Sequence, residues 1–238
     1  MKSFLSRSHL LEFILVFSAV ILGFFAENLR EYYSDKSHEK DFLQSLVRNL
    51  KTDSTTYANR DSASRVRTIW MDTLISILTL NKQNRNAEAY LLARYSTRLI
   101  PGRPGLSTLN FLAKSDEYIH LSDDEVKEHI QRYEARLKWL ENLTDLEEEM
   151  SRTLWQDIPL IFDTKVFAGM KMNNDATLFE MPDGDPPFIN TDRMMMNKLA
   201  YHLYLRRSQF NSEVANRRRI DNERKDLINF LVERYELR

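Results

Sequence analysis

The side chains able to carry out chemistry are scattered along this chain. The five histidines are His9, His38, His120, His129 and His202, and none stands in an HExxH pattern or another spacing that would put two metal ligands on one helix face. Cysteine is absent, which excludes disulfides, thiolate nucleophiles and cysteine-based zinc sites. Glu147, Glu148 and Glu149 are consecutive, so on a helix they point to different sides and read as a solvated face. Asp183 and Asp185 lie in PDGDPP without the spaced ligands and closing glutamate of an EF-hand loop, and read as a proline-rich turn. Arg217, Arg218 and Arg219 form the one basic run and read as a wetted helix surface, with a lipid headgroup or partner carboxylate as the alternative ligand. Asn142, Leu143 and Thr144 spell a glycosylation triplet, but within a helical stretch. No GxSxG, GxxxxGK[ST] or glycine-rich phosphate cradle occurs. No catalytic, cofactor or metal site is expected, and the chain is not expected to be an enzyme.

With no reactive constellation to follow, the informative features are architectural. Among 238 residues, 34 basic and 35 acidic side chains leave a formal net charge of −1, so no global field favours nucleic acid. Glycine occurs only 5 times. Such a scarcity of turn formers implies long helices with few connections.

The N-terminal stretch LLEFILVFSAVILGFFAENLRE predicts a membrane anchor. From Phe13 to Ala26 the only polar side chain is Ser18. Apolar residues on every side of a helix are what lipid demands and what a surface helix avoids. A buried soluble helix and a cleaved signal peptide are the competing readings. Against cleavage, Phe24 is too large for the position three before a cut after Ala26. The chain therefore divides into a short tail over 1–9, a transmembrane helix over 10–29 and a helical bundle domain over 30–238. Within the span, Glu12, Ala19, Gly23, Ala26 and Arg30 fall in one narrow sector at 100° per residue. Ala19 and Gly23 form a small-xxx-small pair, and small side chains let two helix backbones approach closely in lipid. This sector is the candidate membrane helix-packing face.

Beyond Ala26 nothing forces a break, since no Pro or Gly occurs between Gly23 and Pro101. Leu43, Leu46, Val47, Leu50 and Tyr57, then Ser64, Thr68, Met71, Ile75 and Leu78, recur at helical steps. One very long helix or two nearly collinear ones should end near Asn81 to Asn86, with Thr52 to Thr56 as the place for a bend. A shorter helix over Ala87 to Arg98 is stopped by Pro101, Gly102, Pro104 and Gly105. Ser107 should cap a brief helix. Ser122 and Glu125 should form a capping box for a helix running to about Trp155, whose inward face is Val126, Ile130, Tyr133, Leu137, Leu140, Thr144 and Trp155. The stretch 156–190 reads as irregular. A closing helix capped by Thr191 carries Met195, Leu199, His202, Phe210, Val214, Leu227, Leu231 and Tyr235 as its seam, interrupted by Arg206, Arg217 and Arg224. Those interruptions argue for packing in a bundle over an independent coiled coil. The expected fold is all-α, with the transmembrane helix continuing into a long helix and an elongated antiparallel bundle.

The opening segment and a second one, STLNFLAKSDEYIHLSDDEVKEHIQRYEA, together resemble a large family of short single-span proteins of Bacteroidota, catalogued as a domain of unknown function. In that family the span opens with an apolar-flanked Glu, has a small residue seven positions on and closes with Asn-Asn-Trp-Asn-Glu. Glu12, Ala19, Asn28 and Glu31 match, whereas Glu27, Leu29 and Arg30 depart from that pattern. In the second segment Thr108, Leu112, Lys114, Ser115 and Tyr133 match. The resemblance covers about a third of the chain and implies a membrane-anchored helical protein, with no activity to transfer.

The function expected is a membrane-anchored scaffold or interaction protein of the cell envelope. Its partners would be the lipid bilayer and either another protein or a second copy through the membrane helix, with no cofactor and no nucleic acid. A ligand-sensing bundle that signals through a membrane partner is the alternative. Lys2 and Arg7 precede the span while Arg30, Lys36 and Lys40 follow it, so flanking charge does not select an orientation. A short N-terminal tail usually stays inside, which places the protein in the bacterial inner membrane with its C-terminal domain in the periplasm.

Overall fold

The computed structural model describes residues 7–80, 84–115, 121–174 and 178–237, with side chains from 11 onward. Lys2, Arg7, His9, Asn81 and His120 fall outside the described side chains. Six α-helices form among the described residues: α1 (Arg7–Leu80), α2 (Asn86–Ser96), α3 (Leu106–Lys114), α4 (Asp124–Asp157), α5 (Thr164–Gly169) and α6 (Arg193–Tyr235). A 3-10 turn, Ile158–Leu160, follows α4. The fold is all-α, as the periodicity and the lack of turn formers require.

α1 is one unbroken helix of 74 residues, about 110 Å long at 1.5 Å per residue. There is no interruption at Thr52 to Thr56. Thr52 and Ser54 turn their hydroxyls back onto the carbonyls of Arg48 and Lys51, so the weak helix formers are satisfied within the helix. The N-terminal part of α1 is long and apolar enough to cross a membrane. Among the described residues nothing covers it, since every residue from 11 to 38 is exposed. A buried soluble core helix would be enclosed, and this one is not.

From Phe42 onward α1 enters a four-position bundle. α1 packs on α6, α6 on α4, and the second position is shared by α2 and α3, which lie end to end beside α1. A ladder of contacts down α1 gives their direction: Trp70 meets Tyr95, Arg60 bonds the carbonyls of Ile100 and Gly102, Asp53 receives Thr108, and Phe42 stacks on Phe111. The break between α2 and α3 is the Pro101–Gly105 segment, where Gly102 and Gly105 adopt φ of +85° and +76°. At Gly105 a Cβ would also lie 2.4 Å from a Leu137 methyl, so this turn needs glycine for both conformation and space. The outcome is an up-down-up-down antiparallel bundle.

Local capping differs from expectation. Gly105, not Ser107, is the N-cap of α3, because Ser107 is drawn away by Asn49 and Asp53 of α1. Asp123, not Ser122, caps α4, accepting from the backbone N–H groups of Glu125 and Val126, while Ser122 turns to Glu39. Asp192, not Thr191, caps α6. Trp155 is exposed, since α4 continues to Asp157 and Leu154 and Ile158 take the inward positions.

The interior has two apolar clusters. The one nearer the anchor joins Leu43, Leu46, Leu50, Ile130, Leu137, Leu227 and Leu231. The farther one joins Met71, Leu74, Tyr90, Phe162, Leu199, Leu203 and Phe210. The irregular stretch after α4 folds over the far end. Tyr90 bridges it by donating to the Pro187 carbonyl at 3.0 Å and accepting from the Asp163 N–H at 2.9 Å. Asp185, read as part of a turn, accepts from the Ala87 N–H at 2.8 Å and so satisfies a free donor at the start of α2.

Candidate functional site

The predicted membrane-helix face, Glu12, Ala19, Gly23, Ala26 and Arg30, is exposed throughout. A Cβ placed on Gly23 would meet nothing within 4 Å, so the backbone there is open to close approach. Arg30 pairs with Glu27 one turn back. Because α1 is unbroken, the helical phase carries forward at about 100° per residue. The same sector then contains Asp41, Arg48, Thr55, Ser62 and Val66, all exposed. The core residues Leu46, Leu50 and Tyr57 lie on the opposite side. The anchor face therefore points away from the bundle that α1 carries.

Where the exposed apolar part of α1 meets the bundle, three helices are clamped together. Glu39 of α1 accepts from Lys36 at 3.0 Å, from the Ser122 hydroxyl and from the Tyr235 phenol at 2.9 Å. Burial raises the Glu39 pKa, but bonds from Lys36, Tyr235 and Ser122 outweigh it and hold the carboxyl below its usual value. Arg234 completes the joint by donating to Asp123, the cap of α4, at 3.0 Å.

Between the two apolar clusters lies a layer of buried charge. Glu147 of α4 receives Arg60 of α1 at 2.5 Å and Arg206 of α6 at 2.9 Å. Arg217 donates to Asp61 at 2.7 Å, to Glu213 at 2.8 Å and to the Ser64 hydroxyl at 2.7 Å. Gln209 links Glu213 to the Leu143 carbonyl. Burial, together with the nearby negative charge of Glu147, pushes the Glu213 carboxyl up, and Arg217 only partly offsets this. Three guanidiniums meet three carboxylates, so the charges balance. Glu147 and Arg217 are each about 1% exposed, which overturns their reading as solvated surface; Arg218 and Arg219 do face solvent. Arg206 and Arg224 likewise are core positions of the α6 seam and do not interrupt it.

A signal for this layer is present in the chain. The apolar stripe is missing between Tyr57 and Met71 in α1, between Leu140 and Leu154 in α4, and between Phe210 and Ile220 in α6. At each gap the inward register carries polar residues: Arg60 and Ser64, Glu147 and Ser151, Glu213 and Arg217. Reading each helix alone makes these look like interruptions. With α1 and α4 running parallel and α6 antiparallel to both, the gaps fall at one level, where the charges neutralise one another.

A second ionic cluster joins α4 to α6 at the far end. Asp157 takes Lys198 at 2.7 Å and also His202. Burial pushes the Asp157 carboxyl up, but the bonds from Lys198 and His202 win and hold it below the usual 3.8. A lowered folded value means that this cluster stabilises the fold above pH 3.8 and that the contribution is lost as pH falls through the folded value. Asp157→Asn should therefore lower the melting temperature at pH 7, and the gap between variant and parent should close on titration below that value. A gap that persists unchanged in acid would refute this role for Asp157.

Among the described residues no group of three or more His, Asp or Glu side chains is arranged to hold a metal ion. Comparison with protein-family models, with curated proteins and with solved structures finds no match to this chain.

Proposed function

We propose that this protein is a single-span membrane scaffold that presents a rigid helical bundle to a protein partner or to a second copy of itself. The observation that carries the reading is the unbroken α1, whose exposed apolar beginning and bundle-forming remainder are one rod. A rod of this kind fixes the bundle relative to the bilayer, and its small-residue face, turned away from the bundle, is open to another helix. The bundle interior supports the same reading, since apolar side chains and neutralised charge fill it. The anchor lies in the bacterial inner membrane with the bundle on the periplasmic side. A reporter fused after Arg238 that is active only in the cytoplasm would reverse that orientation.

Assembly is tested by crosslinking in native membranes followed by purification in detergent. A stoichiometric partner or stable oligomer is expected, and Gly23→Leu should disrupt it while membrane insertion is retained. If assembly survives Gly23→Leu unchanged, the Ala19 and Gly23 face does no more than anchor. The second reading, a bundle that senses a ligand, is favoured by one surface feature, the groove where α2, the end of α4 and α5 meet.

A further inference from the structure

We infer that this groove is a binding site for a small apolar carboxylate, an inference that rests on the ligand-sensing reading and not on assembly through the anchor. The groove is open to solvent and has a volume of about 390 Å³, within the range of small-molecule sites. Its floor is made by Ala93 and Ile158, both buried, and its walls by Trp155, Phe167 and Pro159. Trp155 is 53% exposed, so a large aromatic surface stands open to a ligand although neighbouring Leu154 and Ile158 are covered.

Charge selects the class of ligand. Among the described residues lining the groove, Arg94 is the only charged one, and Thr97 and Thr164 add hydroxyls at its edge. The Arg94 guanidinium lies 4.6 Å from the centre of the Phe179 ring, a cation–π contact that restrains the side chain. No carboxylate among the described residues pairs with it, whereas the buried arginines Arg60, Arg206 and Arg217 each meet one. A restrained, unpaired guanidinium beside an apolar floor suits a ligand with an apolar body and a carboxylate end, since the planar donor fork matches a carboxylate. A cationic amphiphile would fill the same apolar space and meet repulsion.

The test uses the full chain in detergent micelles, labelled with nitrogen-15 on tryptophan. The three Trp residues give three indole signals, and Trp155→Phe identifies the one in the groove. The probe is 4-phenylbutyrate, with 4-phenylbutylamine and 4-phenyl-1-butanol as charge controls. The acid should shift the Trp155 signal selectively and bind about ten-fold more tightly than the amine, the ratio set by one charge-assisted contact of ~1.4 kcal/mol. Arg94→Gln, a change at an exposed position, should reduce the acid to the affinity of the alcohol, and Ala168→Leu should block all three compounds by filling the groove. The inference is overturned if the acid leaves the Trp155 signal unmoved, if acid and amine bind alike, or if Arg94→Gln changes nothing. An apolar segment of a partner protein as the true occupant would show as failure of all three small compounds together. None of these outcomes alters the crosslinking result, so the anchor reading stands or falls separately.

Discussion

Glu147→Ala is expected to destabilise the bundle by about 3–5 kcal/mol, the cost of removing one partner from a buried ion network. Among the described residues Glu147 is the only carboxylate that touches both Arg60 and Arg206. Each guanidinium is almost wholly enclosed, so neither can recover its hydration when the carboxylate is gone. Arg60 keeps the carbonyls of Ile100 and Gly102 and a longer 3.9 Å contact with Glu213, which Arg217 already engages, and Arg206 keeps the backbone carbonyl of residue 147, but carbonyl dipoles and a shared carboxylate do not replace the lost charge. For a domain of this size the loss corresponds to a fall in melting temperature of roughly 10 °C. Thermal unfolding followed by circular dichroism measures it. Glu147→Gln keeps the shape and removes only the charge, so it should account for most of the loss. A fall below about 1 kcal/mol would mean that water reaches the layer. Replacing Arg60, Glu147 and Arg206 together by apolar residues of similar volume should cost far less than the single change, because no charge is then left without a partner.

The second large effect is expected at the far end of the bundle. Phe162→Ala should cost about 3–5 kcal/mol, as truncating a large buried aromatic does when the cavity cannot collapse. Phe162 is fully buried and meets Tyr90 edge-on at 4.9 Å, Phe188 at 5.0 Å and Phe167 at 5.9 Å. These rings tie the irregular stretch between α4 and α6 to α2. Between α5 and α6 the described residues carry few backbone bonds: the Met172 to Phe179 bridge, with Asn173 N–H to the Leu178 carbonyl and Glu180 N–H to the Lys171 carbonyl, and Ile189 N–H to the Ile161 carbonyl. Without the aromatic cluster the segment should open before the bundle melts. Limited proteolysis between Lys171 and Arg193 should therefore quicken at temperatures where the circular dichroism of the variant is still native. Protection equal to that of the parent chain would show that the capping bonds from Asp185 and Tyr95 suffice alone.

The two effects differ in kind, and that difference bears on function. The charged layer contributes little net stability relative to an apolar one, but it penalises any shift of α1, α4 or α6 against the others, since a shift separates charges that cannot reach water. It also sits between the anchor and the far end. A bundle locked in this way supports the scaffold proposed above, in which a position set at the membrane would have to persist along the rod.

Much of this architecture was legible in the chain because it follows from local chemistry. The absence of Pro and Gly between Gly23 and Pro101 permits α1 to continue, and the apolar run from Phe13 to Ala26 leaves no side of that helix suited to water. The inward stripes of α1 and α4 follow from helical period, and the Pro101–Gly105 punctuation from backbone constraint. Competition between helices could not be read in the same way. Ser107, Ser122 and Thr191 are acceptable caps by type, yet neighbouring residues took their places, because Asp53 and Glu39 of α1 offered the two serines stronger partners and Asp192 lies one residue nearer the start of α6. Glu147 and Arg217 look like surface residues when each helix is read alone, since burying a lone charge is prohibitive. Only the tertiary structure brings Glu147 of α4 and Arg217 of α6 to the same level as Arg60 and Asp61 of α1 and Arg206 and Glu213 of α6, and it is that mutual neutralisation which makes their burial possible.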